Sequence, residues 1–279
     1  MLSPRSEAVV PAGRTTSRSV YAMVAAQDTG RIYKTADRGR HWTVQYDSAA
    51  PGVFLDGFAF WDARHGAAFG DPIGGRWLVL QTTDGARWRA LPTEPIRAAT
   101  GEAGFAASGT SIATAPGGHL WIGTGGGASA RVLHARGFGA RWDVAVTPIA
   151  AESASAGIFS LAFVDSLTGI AVGGDYRAPD IVRANVARTV DGGRTWTLAD
   201  SARVVKYLSG VTYVPGTAGK VVVGVGPRGV FWSRDGGFSW EQVSAAPYNS
   251  VAATNDRVVM VGDRGAIATW DQTRSTTRP

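Results

Sequence analysis

Six residues of this sequence bring acid, cation and phenol chemistry next to glycine-rich stretches. Asp56 lies in F-L-D-G-F, Asp71 in F-G-D-P, Glu102 in G-E-A-G-F and Arg131 just after G-T-G-G-G, while Asp175 and Tyr176 end A-V-G-G-D-Y. Carboxylates accept hydrogen bonds from a ligand. Two of them about 5–9 Å apart could instead do acid–base work on a glycosidic bond. Arginine offers a planar fork to an incoming carboxylate or carbonyl, and a neighbouring glycine lets main chain come close to a bound molecule. Loop carboxylates also tie turns together by accepting backbone N–H groups, and both roles stay open for each acid.

Other chemistries find little support. The chain has no cysteine, so thiolate catalysis, disulfides and thiolate metal sites are excluded. The four histidines (His41, His65, His119, His134) show no metal-ligand spacing. Gly123–Gly127 lacks the Lys-Ser/Thr and the helix of a phosphate loop, and no G-x-S-x-G or H-E-x-x-H occurs. Asp62–Gly66 reads as a simple turn. The expectation is a protein without metal or cofactor.

What must position these residues is a repeat. Thr189–Trp196 reads T-V-D-G-G-R-T-W, Thr35–Trp42 reads T-A-D-R-G-R-H-W, and Ser233–Trp240 reads S-R-D-G-G-F-S-W. Thr82–Trp88 is one residue short, and Ala135–Trp142 keeps only Gly139 and Trp142. The pattern is Ser/Thr-x-Asp-x-Gly-x-x-Trp, flanked on both sides by short β-prone runs. Asp37, Asp84, Asp191 and Asp235 are expected to accept backbone N–H groups in a hairpin turn, assisted by the hydroxyls of Thr35, Thr189 and Ser233. Gly39, Gly193 and Gly237 supply a left-handed residue. Trp42, Trp88, Trp196 and Trp240 open the next strand and carry apolar area to bury. These aspartates are assigned to turn geometry and not to catalysis.

The Trp residues recur at spacings of 46, 54, 54 and 44, the span of four short strands. That predicts an all-β chain of four-stranded antiparallel blades, a β-propeller. Six blade-like units are visible, the first and last incomplete, so a six-bladed ring and a truncated seven-bladed ring both fit. Residues 1–18 read as a polar N-terminal tail with a short strand at Ala8-Val9-Val10, 19–271 as the propeller, and 272–279 as a C-terminal tail. A strand from the N-terminal region is a candidate to complete the last blade. Loops between second and third strands, and entries to first strands, share the face opposite the Trp-bearing turns. Asp56, Asp71, Glu102, Arg131, Asp175 and Tyr176 are expected on that face.

Composition agrees with this reading. Hydrophobic residues make up 44% of the chain, enough for a sizeable core, and 37 glycines suit many tight turns. The net charge is +6, but the arginines are scattered through the repeats and form no stripe, which argues against nucleic acid as a partner. No apolar run reaches the roughly 18 residues of a membrane span, and the first residues contain no apolar signal-peptide core.

The Ser/Thr-x-Asp-x-Gly-x-x-Trp turns resemble the Asp-box, or bacterial neuraminidase, repeat of β-propellers. The boxes together with F-L-D-G-F-A-F-W-D-A-R-H-G, F-G-D-P, F-A-A-S-G-T-S, I-G-T-G-G and A-V-G-G-D-Y are similar to a bacterial family resembling the photosystem II stability/assembly factors, over about residues 20–271. The resemblance implies a seven-bladed, usually exported binding platform. The regular repeats and the lack of a catalytic constellation point to a non-enzymatic propeller that binds a protein or peptide, and a monomer is expected. The alternative is a sialidase-like glycoside hydrolase acting on carbohydrate, with Arg131, Tyr176, Glu102 and Asp71 in its catalytic roles. The Arg-Ile-Pro signature of sialidases is not present, since Arg31-Ile32 is followed by Tyr33.

Overall fold

The computed structural model describes residues 7–10, 19–199 and 205–271. They form six antiparallel sheets in which strands adjacent in sequence are adjacent in space. Blade 1 comprises Glu7–Val10, Val20–Ala26, Thr29–Thr35 and Thr43–Ser48. Blade 2 comprises Leu55–Phe60, Gly66–Ile73, Arg76–Thr82 and Arg89–Ala90. Blade 3 comprises Ile112–Ala115, His119–Gly123, Arg131–Arg136 and Arg141–Val146. Blade 4 comprises Ala156–Phe163, Gly169–Asp175, Val186–Thr189 and Thr197–Leu198. Blade 5 comprises Gly210–Tyr213, Val222–Gly226, Gly229–Ser233 and Glu241–Ser244. Blade 6 has three strands among the described residues, Ser250–Ala253, Arg257–Val261 and Ile267–Asp271. First strands of blades 2 to 6 pack side by side in succession, and Val20–Ala26 packs on Leu55–Phe60. Sequential sheets turning about their first strands define a β-propeller.

The N-terminal expectation needs correction. The short strand expected at Ala8-Val9-Val10 is Glu7–Val10, and it pairs antiparallel with Val20–Ala26, from Glu7 opposite Val24 to Val10 opposite Tyr21, not with the last blade. It is the first strand of blade 1, which is therefore not incomplete, and it does not complete blade 6. A free strand edge presents unpaired N–H and C=O groups, and the short apolar run Ala8-Val9-Val10 lies next to such an edge in sequence. The C-terminal tail, 272–279, lies outside the described residues.

The hydrophobic core is divided among the blade interfaces. Tyr21, Met23 and Ile32 of blade 1 meet Leu55, Phe58, Ala68 and Leu80 of blade 2. Equivalent clusters join blades 2 and 3, 3 and 4, 4 and 5, and 5 and 6. Among the described residues no such cluster joins blade 6 to blade 1. Each turn Trp from blade 2 onward packs toward the blade before it: Trp88, Trp142, Trp196 and Trp240 lie in the first four of these cores. Trp88, Trp196 and Trp240 are each only 8% exposed, whereas Trp42 of blade 1 is 42% exposed.

The turns also latch blades together. In the Thr189 turn, Thr189 Oγ1 donates to Asp191 Oδ1 (2.8 Å) and accepts from Gly193 N (2.9 Å), and Trp196 Nε1 donates to Gly193 O (3.1 Å). Gly193 has φ +85°, which favours glycine. The Thr35 and Ser233 turns repeat these bonds. A carbonyl exposed by the turn is then caught by the preceding blade. Tyr21 Oη donates to Gly85 O (2.7 Å), Gln81 Nε2 to Phe138 O (2.7 Å), Trp121 Nε1 to Gly192 O (2.8 Å) and Arg188 Nε to Gly236 O (2.7 Å).

Candidate functional site

The face opposite these turns is shaped by three β-bulges in the inner strands. The ladder between Leu55–Phe60 and Gly66–Ile73 slips between Leu55 and Gly57, leaving Asp56 as the extra residue. The ladder between Gly66–Ile73 and Arg76–Thr82 slips between Gly70 and Pro72, leaving Asp71. In blade 4 the slip between Ile158 and Ser160 leaves Phe159. A bulge re-aims the side chain of its extra residue and bends the strand. Two of the six predicted residues, Asp56 and Asp71, are therefore aimed by the same kind of irregularity.

Asp56 and Asp71 converge on Gly104. Gly104 N donates to Asp71 Oδ1 (2.9 Å), and a Cβ built on Gly104 would stand 2.3 Å from Asp56 Oδ2. Asp56, one of the residues expected on the loop face, is 1% exposed inside the wall between blades 2 and 3, and its Oδ2 has no partner. Burial first, and the charge of Asp71 second, hold the Asp56 carboxyl well above the usual carboxylate range. Burial also raises Asp71, against the stabilising Gly104 N–H.

Glu102 and Arg131 meet, but they meet each other. Arg131 Nε donates to Glu102 Oε1 (2.8 Å), and Nη2 donates to Glu102 Oε2 and to Arg97 O. Glu102 also accepts from Thr124 Oγ1 (2.5 Å) and Ala99 N (2.8 Å), and its side chain is fully buried. This is an internal brace between the strand entry of blade 3 and its third strand. With Nε and Nη2 committed, Arg131 fits poorly the sialidase-like role of receiving a substrate carboxylate.

Asp175 closes a turn. Its Oδ1 accepts from Arg177 N (2.9 Å) and its Oδ2 from Ser153 Oγ (3.0 Å). Burial pushes its carboxyl up, but hydrogen bonds from Ser155, Arg177 and Ser153 outweigh that and hold it below the usual range. Beside it opens a cavity of ≈ 250 Å³ lined by Glu152, Ser153, Asp175, Ile181, Arg183 and Asn185, among others. Tyr176 is exposed at 45% and carries the Arg177 guanidinium 5.8 Å from its ring centre.

Sequence reading missed the aromatic cluster linking these acids. Phe105 stacks on Phe159 (centroids 4.0 Å), and Phe159 meets Tyr207 (4.8 Å) and Tyr176 (6.1 Å) edge to face. Under it runs a line of hydroxyls. Ser108 Oγ pairs with Thr110 Oγ1 (2.6 Å), Thr110 Oγ1 with Ser160 Oγ (2.7 Å), and Ser160 Oγ accepts from Val211 N (3.0 Å), joining blades 3, 4 and 5 across the centre. A second feature, on the outer part of blade 3, is the pair His119 and His134, 3.0 Å apart and stacked with Trp121. No spacing rule pointed to either. Among the described residues no group of three or more His, Cys, Asp or Glu could hold a metal.

Fold and face together describe a β-propeller whose inner wall carries a buried acid pair next to an aromatic strip. No family model matches the chain, and no curated protein matches it by sequence. Solved structures are similar in shape. An ancestral GH74 enzyme aligns at 16% identity with a TM-score of 0.62, covering 96% of this chain and 37% of that one. YCF48 bound to D1 peptide aligns at 14% identity with a TM-score of 0.49, covering 97% of this chain and 98% of that one. At such identities the likeness concerns the fold alone.

Proposed function

We propose that this propeller is a non-enzymatic platform that binds an extended protein or peptide segment across the loop face opposite the Trp-bearing turns. One observation carries the reading. The aromatic strip Phe105–Phe159–Tyr207 ends in the exposed Tyr176, and the residue before it in the chain, Asp175, lines a cavity. An exposed amphipathic ring on a rigid scaffold is how binding surfaces gain area at low entropic cost. Asp71, Asp175 and Tyr176 form the contact surface in this reading, while Glu102 and Arg131 hold its floor in place. The likeness to YCF48 is too distant to carry that protein's partner across.

Displayed random peptides selected on the purified protein, followed by calorimetry of the selected sequences, test the proposal. Tyr176→Ala should weaken them by about 2 kcal/mol, the range of an aromatic hot spot. Asp175→Ala should weaken those that enter the cavity. Selected peptides that bind both variants unchanged, while protecting backbone amides only on the turn face, would remove this face as the binding surface.

A further inference from the structure

A chain with a net charge of +6 keeps two carboxyls together in its inner wall and gives them no cation. Both are bulge residues, and both converge on Gly104. Every element around them offers something else. Blade 2 contributes Phe69, and the strand entry to blade 3 contributes only the Gly104 N–H. The nearby charged pair, Glu102 and Arg131, is closed on itself. Among the described residues no Lys, Arg or His acts on either carboxyl. A buried carboxylate oxygen without a donor is expensive to maintain, so Asp56 Oδ2 calls for a donor that the chain does not supply.

We propose that the Asp56–Asp71 pair anchors a primary ammonium group, from a Lys side chain or an amino terminus of the segment bound on this face. The inference rests on the platform reading above. An ammonium is a compact charge with three donors, enough to serve two carboxylates at once. A divalent metal asks for six or more oxygens, and two acids alone do not provide them. The ammonium enters at half-buried Asp71 and donates both to it and to Asp56 Oδ2 behind it, so that the second carboxylate gains the donor it lacks. Phe69 beside Gly104 gives the cation an aromatic neighbour.

The site couples binding to a proton. In the free protein the pair holds a proton, because two close carboxylates resist full ionisation. An arriving ammonium stabilises the doubly ionised pair and that proton leaves to solvent. No covalent bond forms or breaks on the ligand.

The probes are Nα-acetyl-lysine methylamide, glycinamide and, as the uncharged match, Nα-acetyl-norleucine methylamide. Carbon-13 carboxyl resonances of Asp56 and Asp71 are followed by NMR, and calorimetry near pH 6 in two buffers of different ionisation enthalpy counts protons. The lysine or the glycine probe should move both resonances and release up to about one proton per ligand; which of them does so identifies the source of the ammonium. Asp71→Asn should weaken the active probe about tenfold or more, and Asp56→Asn should abolish proton release. Equal shifts with norleucine, or no shift with either amine at roughly 50 mM, would overturn the site, as would unchanged proton release in Asp56→Asn. If Asp56→Asn does not fold, the wild-type shifts and proton count decide. A selected peptide without any free amine that binds as tightly and still loses affinity in Tyr176→Ala would sink this site and leave the platform standing.

Discussion

Replacing His134 by Phe should remove most of the mild-acid sensitivity of this fold. His134 is 6% exposed, stacked on Trp121 at 4.8 Å and 3.0 Å from His119. Burial, and then the charges of His119 and Arg136, pull its imidazole from 6.5 to about 4. The folded pKa is below the unfolded one, so as pH falls the unfolded chain takes up the proton first. His134 therefore contributes stability that is complete above about pH 6.5 and is lost as pH falls through the window down to about 4. At about 1.4 kcal/mol per tenfold, that window is worth about 3 kcal/mol. His119, also lowered by burial and by Arg136, adds in the same sense. Asp56 works in the opposite sense: its raised pKa makes it more stabilising as pH falls. The quantity to read is therefore the difference between wild type and His134→Phe, in urea unfolding from about pH 7.5 to about pH 4.5. A constant packing offset cancels in that comparison. Between these two pH values the difference should shift by about 2.5 kcal/mol in favour of Phe. A difference that stays flat within about 0.5 kcal/mol would show that His134 titrates alike in both states, and would refute the reasoning.

Three further single substitutions and one double variant test the packing. Glu102→Ala leaves Arg131 without its carboxylate and frees the Thr124 and Ala99 donors, and should cost about 3–5 kcal/mol in thermal or urea unfolding; a paired Glu102→Leu, Arg131→Met variant should recover much of it. Trp196→Ala should cost about 3–5 kcal/mol, as for a filled core position, whereas Trp42→Ala, at the uncovered face of blade 1, should cost roughly 1 kcal/mol by the same measurement.

The repeated turns were legible in the sequence because their polar atoms bond within eight residues. Thr189, Asp191, Gly193 and Trp196 satisfy one another locally, so spacing alone carries the geometry. The bulges were not legible. One extra residue leaves L-D-G-F reading as ordinary strand alternation, so the burial of Asp56 in the wall was not foreseen. Glu102 and Arg131 were both expected on the loop face, but their pairing with each other across 29 positions has no local signature. His119 and His134 meet because adjacent strands bring Trp121 opposite His134, a register that no metal-type spacing encodes. The carbonyls of Gly85, Phe138, Gly192 and Gly236 escaped notice because a backbone acceptor looks the same in every residue. The strand at Ala8-Val9-Val10 was legible, but its partner was not, because a short apolar run does not encode which blade edge it pairs with.

The latches give the chain a direction. The turns of blades 2 to 5 each reach back to the blade before them, through a Trp and a carbonyl, so that at this end of the blades adhesion is passed from neighbour to neighbour. Blades 2 to 5 are gripped from both sides, while blades 1 and 6 each share a single core with a neighbour among the described residues. In such a linear array local opening follows nearest-neighbour statistics. Amide exchange is expected to show opening first in blades 1 and 6 and last in blades 3 and 4, which carry the Glu102–Arg131 brace and most of the aromatic strip. The face proposed above for binding would then stand on the blades that are gripped from both sides.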